Sequence, residues 1–186
     1  YFKALCDHKQ GKGKADAVDK IKRIMQEMGL STQDRPVVAP ALEKQKAAGV
    51  SATAIELPDG QIITGKASDL MSASSATVLN SIKALAGIPD EVLLISQQVL
   101  VPLLRLKIDY LHSRASVLKV DDVLAGLAVS AATDETAAKA LAALKDLRDC
   151  DMHSTQMLHS GDEGTLRKLG VRLTMEPVYP GKDLFF

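Results

Sequence analysis

Apolar positions recur along this chain with two different periods, and each change of period marks a predicted element. Over 16–28, Val18, Ile21, Ile24, Met25 and Met28 are spaced as one face of a helix, and Gly29 ends it. A shorter helix is expected near 41–48, after "DRPVVAP" and before Gly49. The runs "ATAIEL" and "QIITG" are rich in β-branched residues and flank Pro58-Asp59-Gly60. Pro presets a turn, Asp bonds its own backbone and Gly takes the positive φ, so the segment predicts a β-hairpin. Ser68 or Asp69 can cap the next helix, on which Met71, Val78, Ile82 and Leu85 share a face before Gly87 and Pro89 close it. "EVLLIS" reads as a buried strand, and "QVLVPLLRLKIDYL" as a helix with Pro102 in its first turns, where a missing N–H does little harm. Helices follow near 122–132 and 134–147, then a strand in "CDMHSTQML". Ser160-x-x-Glu163 has the form of a capping box for a helix ending at Gly170, and "VRLTMEP" is the last strand.

Strands alternating with helices after one hairpin predict a layered α/β domain, a mixed sheet of the hairpin plus about three further strands covered by helices. The domain is expected over 15–186. Residues 1–14, which include the flexible "GKGK", read as a stub and linker from a preceding region. The chain starts at Tyr1, and "YFKALCDHK" has the character of the tail of an earlier helix, so a C-terminal piece of a longer protein is expected.

Composition narrows the function classes. With 46% apolar residues in 186, the chain can build a core without disulfide or metal staples. The 23 basic and 23 acidic residues cancel, and six aromatics supply few stacking platforms, which argues against nucleic acid as a partner. The most apolar stretch, 92–110, is interrupted by Ser96, Gln97, Gln98, Arg105, Lys107 and Asp109, which a bilayer core would penalise, so no membrane partner is expected. Two cysteines form no disulfide framework, and a reducing cytoplasm fits them best.

The candidate chemistry begins with "GQIITGKAS", which carries most of the phosphate-loop pattern G-x-x-x-x-G-K-[ST]. Such a loop must leave a strand and enter a helix. Here Gly60 belongs to the hairpin turn, Gln61 to Thr64 prefer a strand, and Ala67 stands where the Mg²⁺-binding hydroxyl is needed. What survives is an anion site in which Lys66 and Ser68 precede a helix N-terminus, with a solvated Lys66 and a capping Ser68 as the plainer alternative. The small residues Ser72 to Ala76 permit close approach by a ligand or by a neighbouring helix, and Asn80 is either a surface amide or a core anchor. Cys6, His8, Cys150 and His153 could ligate zinc only if the stub folds back, and no metal is expected. His153, Ser154 and Thr155 fall on a predicted strand, where alternation sends Ser154 to the face opposite the other two, so adjacency makes no dyad. Neither H-E-x-x-H nor G-x-S-x-G is present. Arg114, Arg167 and Lys168 are further basic candidates for a phosphate.

Five ordered segments, "IELPDGQIITGKASDL", "LNSIKALAGIPD", "HST", "RKLG" and "EPVY", resemble the C-terminal part of a bacterial family catalogued as domain of unknown function 1846, or uncharacterised protein family 0371. The resemblance runs along nearly the whole chain. It implies a longer protein whose preceding region carries a glycine-rich segment absent here, and it brings no established activity. Its motif residues in this chain are Asp59, Gly60, Thr64, Gly65, Lys66, Ser68, Asn80, His153, Ser154 and Thr155. At 113–116 a Ser-Arg-Asn-Pro-like turn is replaced by Ser-Arg-Ala-Ser, which weakens any binding role for that loop. The order of elements also resembles the cytidine-deaminase-like layout, but the positions that hold zinc in those enzymes carry no ligand here.

Two functions follow as expectations. The first is an accessory domain of a bacterial cytoplasmic protein, packing on or completing a nucleotide- or phosphate-binding region outside this chain. The alternative is an enzyme domain with its own pocket for a phosphorylated or nucleotide-like small molecule. The candidate ligand-binding residues are Lys66, Ser68, Asn80, His153, Ser154 and Thr155. No cofactor is expected, and the expected partners are the preceding region, a further copy of the chain and a small phosphorylated ligand.

Overall fold

The computed structural model describes residues 1–112 and 117–181. Its centre is the hairpin of β1 (Ala52–Glu56) and β2 (Ile62–Lys66). The turn is held as its residues require: the Asp59 carboxylate accepts from the Gln61 amide at 3.0 Å, and Gly60 takes φ +83°. β3 (Asp151–Ser154) pairs antiparallel with β1, and β4 (Arg172–Met175) pairs parallel with β3, giving a mixed sheet in the order β2-β1-β3-β4.

Among the described residues eight α-helices surround it: α1 (Phe2–Lys9), α2 (Ala15–Glu27), α3 (Val38–Ala48), α4 (Ala73–Ala86), α5 (Gln97–Arg105), α6 (Val120–Ala131), α7 (Glu135–Ala142) and α8 (Ser160–Lys168). One sheet face carries the main core, where Ile55 and Met152 meet Val78 and Ile82 of α4, Leu127 of α6 and Leu166 of α8, all fully buried. Burial of each such side chain contributes about 1.5–3 kcal/mol. The other face is thinner: Ala54 packs with Val37 and Ala41 beside α3. Gly65 brings α4 close to β2, because a Cβ there would lie 2.5 Å from the Thr77 nitrogen and 2.9 Å from the Ala73 carbonyl oxygen. The Thr53 and Thr77 hydroxyls meet across the same contact.

Several expectations need correction. "EVLLIS" forms no strand, so among the described residues the hairpin is joined by two further strands rather than three. Leu94 and Ile95 are buried as a loop, with Ile95 filling the space beside Gly126 of α6 and Ser130 Oγ accepting from the Ser96 amide at 3.2 Å. A short apolar run is compatible with either outcome, since burial is what it specifies. Helices α5 to α7 thus separate α4 from β3, and the likeness to the cytidine-deaminase-like layout is left without support.

Pro102 lies at the sixth position of α5, which runs on into a π-helical turn, Leu106–Tyr110. There Lys107 turns inward to bond the Val117 carbonyl at 3.1 Å and to pair with Asp122. The cap of α4 is Ser72, whose hydroxyl accepts from the Ser75 amide, while Ser68 Oγ accepts from Leu70 and Met71 in the preceding turn. The capping box at Ser160 does not form: His159 is the N-cap of α8, and Glu163 pairs instead with Arg167 at 2.9 Å. At the other end of the chain α1 lies against β4, with Phe2 and Cys6 buried, whereas α2 buries no residue. Among the described residues no helix is long and apolar enough to cross a membrane.

Candidate functional site

β1 starts, and β2, β3 and β4 finish, at one edge of the sheet. Two of those strand ends feed helices, β2 into α4 and β3 into α8, and α6 also begins there, its Lys119 N-cap preceded by Leu118, which pairs with Met71. Three helix N-termini therefore converge, each with amide donors that its own helix leaves unpaired. Between them lies a cavity of about 420 Å³. Its polar wall includes Ser68, Ser72, Ser74, Lys119, His159 and Asp162, and its apolar wall includes Val50, Val117, Met157 and Leu158. Open α/β sheets place ligand crevices at such an edge, beyond the carboxyl ends of parallel strands.

Asp162 is the hinge of this arrangement. It is only 3% exposed; one carboxylate oxygen accepts from the Val120 amide at 2.9 Å, and the other from the Ser72 and Ser74 hydroxyls at 3.3 and 3.1 Å. One carboxylate thus ties the first turns of α8, α6 and α4 together and supplies the negative charge that the α6 N-terminus favours. His159 is different. Its Nε2 is shielded from solvent and has no hydrogen-bond partner. Burial lowers its pKa below the ordinary histidine value, with Lys119 acting in the same direction and Asp162 opposing, which favours a neutral ring at pH 7.

The model for the family described as domain of unknown function DUF1846, C-terminal, matches residues 33–185. This chain belongs to that family. It is 45% identical over 185 residues to a UPF0371 protein of Corynebacterium glutamicum (strain R), covering 100% of this chain and 37% of the relative. A UPF0371 protein of Clostridioides difficile (strain 630) is 42% identical over 194 residues, covering 100% of this chain and 39% of the relative. The chain therefore spans well under half the length of these relatives.

In this DUF1846 C-terminal domain the sequence-derived candidates separate. Ser68 and Ser154 line the cavity, although Ser154 Oγ is engaged with the Gln156 carbonyl at 2.7 Å. Lys66 is exposed at the end of β2 and is not part of the lining. Asn80 lies further along α4 and donates to the Thr64 carbonyl at 3.0 Å, joining α4 to β2. Thr155 Oγ1 accepts from the Ala52 amide at 3.0 Å. His153 pairs in register with Ala54, on the α3 face, while Ser154 pairs with Thr53, on the α4 face. The His153 ring bonds Thr174 at 2.9 Å and Glu176 at 3.2 Å and packs on Phe2 with centroids 4.7 Å apart. Burial, reinforced by Arg35, lowers its pKa to about 4, and burial raises that of Glu176.

Arg167 is occupied by Glu163, Lys168 is exposed on α8, and Arg114 lies outside the described residues. Cys6 donates to the Met175 carbonyl, and burial pushes its thiol up to about 11; Cys150 is also raised. Among the described residues no group of three or more His, Cys, Asp or Glu is placed to hold a metal ion. Sequence reasoning missed Asp162, His159, Lys119, Ser72 and Ser74 as one set. The only local signals were an acid in a helix first turn and a serine-rich helix start.

Proposed function

We propose that this domain is an accessory unit that completes a nucleotide- or phosphate-binding region, lending the wall of a shared pocket to the part of the protein that precedes it in its relatives. The observation that carries this reading is the cavity at three helix N-termini, donor-rich on one side and apolar on the other. That is the lining a small phosphorylated molecule with an organic part would need. Coverage of 37–39% of the relatives leaves room for the remaining wall, and the apolar face of α2, with Ile24 and Met28 exposed, offers that region a contact. The domain itself comprises 15–186 with α1 docked on β4, and its two free cysteines accord with a reducing cytoplasm. Further copies of the chain are also expected partners, through the exposed apolar residues Val101, Leu106, Ile108 and Tyr110 at the end of α5.

The test is thermal-shift stabilisation by nucleotides and phosphorylated metabolites, on this chain alone and joined to the preceding region of the Corynebacterium glutamicum relative. Stabilisation of the joined protein by a ligand to which the isolated chain responds weakly is the expected result. Equal stabilisation of both would favour the second reading, an enzyme domain with a self-contained pocket, for which the cavity of about 420 Å³ lined by residues of this chain is the specific support.

A further inference from the structure

Helix α2 is amphipathic, yet the fold covers only part of its apolar face. At about 100° per residue, its apolar positions form one stripe with two halves, Val18, Ile21 and Met25 on one side and Ala17, Ile24 and Met28 on the other. α1 packs on α2, and the burial follows that division: Val18, Ile21 and Met25 are half-buried, whereas Ala17, Ile24 and Met28 are exposed, Ile24 at 44% and Met28 at 65%. Leu30, just beyond the helix, is 45% exposed. No residue of α2 is fully buried, and its N-cap Lys14 makes no side-chain cap bond. A helix of 13 residues with neither a cap nor a buried face is marginal by itself, because helical stability in proteins comes mainly from packing of the apolar face.

Three occupants could cover the open half, and the residues around it choose among them. Asp16, Lys20, Arg23 and Glu27 border it and their charges cancel, so an anionic membrane surface is not drawn to it. A second copy meeting it stripe to stripe would bury only a few side chains on each side, well short of the roughly 1,200–2,000 Å² of a stable interface. A covalently attached partner needs far less area, since its effective concentration is on the order of millimolar. The relatives carry such a partner: this C-terminal domain spans 37–39% of their length, and the chain that precedes it enters at α1, the helix on which α2 rests.

We infer that Ala17, Ile24 and Met28, with Leu30, dock in an apolar groove of the region that precedes this domain in its relatives, and that α2 is a stable helix only when so seated. The inference rests on the reading of this domain as an accessory unit of that region and adds the docking segment, its anchors and their mode, a helix laid in a groove. No residue of 15–30 lines the cavity, so docking and ligand binding can be measured separately.

The experiment is hydrogen–deuterium exchange of the α2 amides without ligand, in this chain alone and joined to the preceding region of the Corynebacterium glutamicum relative, each at two protein concentrations about tenfold apart. Ile24→Gln combined with Met28→Gln removes the two large anchors and keeps good helix formers in their places. Val129→Gln, at a position 59% exposed on α6, is the control for loss of an exposed apolar side chain elsewhere. Circular dichroism confirms the fold of each protein.

The expected result is that the α2 amides exchange about tenfold or more slowly in the joined protein, at both concentrations, than in this chain alone. The paired substitution should return them to the rate of the isolated chain, and Val129→Gln should leave the protection in place. Equal rates in the two proteins, or protection that survives the paired substitution, would overturn the inference. Protection of the isolated chain that fades on dilution would give the stripe to a second copy and overturn it as well. The thermal-shift test is independent of these readings: protected α2 amides without any ligand response leave the inference standing while the pocket reading falls, and a ligand response with unprotected amides does the reverse.

Discussion

Two clusters in this domain combine a histidine, a carboxylate and hydroxyl groups, and they differ in whether their valences are filled. Around His153 both ring nitrogens are engaged, one by Thr174 and one by Glu176, and Phe2 covers the ring. Around Asp162 the carboxylate is fully engaged, but the neighbouring His159 keeps a buried nitrogen with no partner, and the group opens on a cavity. The first cluster fastens α1 and β4 to the sheet. The second is built as firmly at its base and left incomplete at its top. Residue types do not distinguish the two; the count of satisfied donors and acceptors does.

Removing the base of the open cluster should have the largest effect. Asp162→Ala leaves the Val120 amide and two serine hydroxyls without their shared acceptor and should cost about 3–4 kcal/mol in urea denaturation. A loss below about 1 kcal/mol would show that the three helix starts do not depend on it.

The closed cluster should reveal itself through pH. Histidine titrates at 6.5 when unperturbed and His153 at about 4 in the fold, so between those values the unfolded chain binds the extra proton. The contribution is therefore fully present above pH 6.5 and is lost as pH falls toward 4, by up to about 3 kcal/mol. Glu176 acts with the opposite sign: raised from 4.5, it stabilises the fold below that value and loses the contribution as pH rises through its folded pKa, which offsets part of the acid loss. His153→Leu should flatten the stability profile between pH 4 and 6.5 while costing about 1–2 kcal/mol at pH 7.5. A profile as steep as the parent's would locate the titrating group elsewhere.

His159 should respond the other way. His159→Leu removes an unsatisfied buried nitrogen and is expected to raise stability by about 1 kcal/mol. Loss of stability on this substitution would mean that Nε2 is already satisfied in solution. The smallest effect is expected at Lys66, which is exposed and outside the cavity lining: Lys66→Ala should leave stability within about 0.5 kcal/mol and ligand affinity within about twofold.

The hairpin, the long serine-rich helix and the strands at His153 and Leu173 were legible because turn chemistry and periodicity are local. Loop 91–96 was not, since burial of Leu94 and Ile95 in a loop and in a strand leave the same apolar run. Alternation correctly placed His153 and Ser154 on opposite faces, but it could not tell which face held a cavity. The site's base was illegible for a different reason. Asp162 meets Ser72 and Ser74 across 90 and 88 residues, and in one sequence it is an ordinary acid at a helix start. Gly65 was visible as part of an apparent phosphate loop, whereas its structural role is to let Thr77 and Ala73 approach the sheet.

The claim that the open cluster is the ligand site and the closed one is scaffold can be tested directly by ¹⁵N-edited NMR of the histidine rings during titration with a nucleotide or phosphorylated metabolite that stabilises the joined protein in the thermal-shift test. The expected result is that the His159 ring resonances, at the cavity wall, move with saturating behaviour while those of His153 stay fixed. Movement of the His153 resonances with His159 unchanged would contradict it and would transfer the site to the opposite face of the sheet.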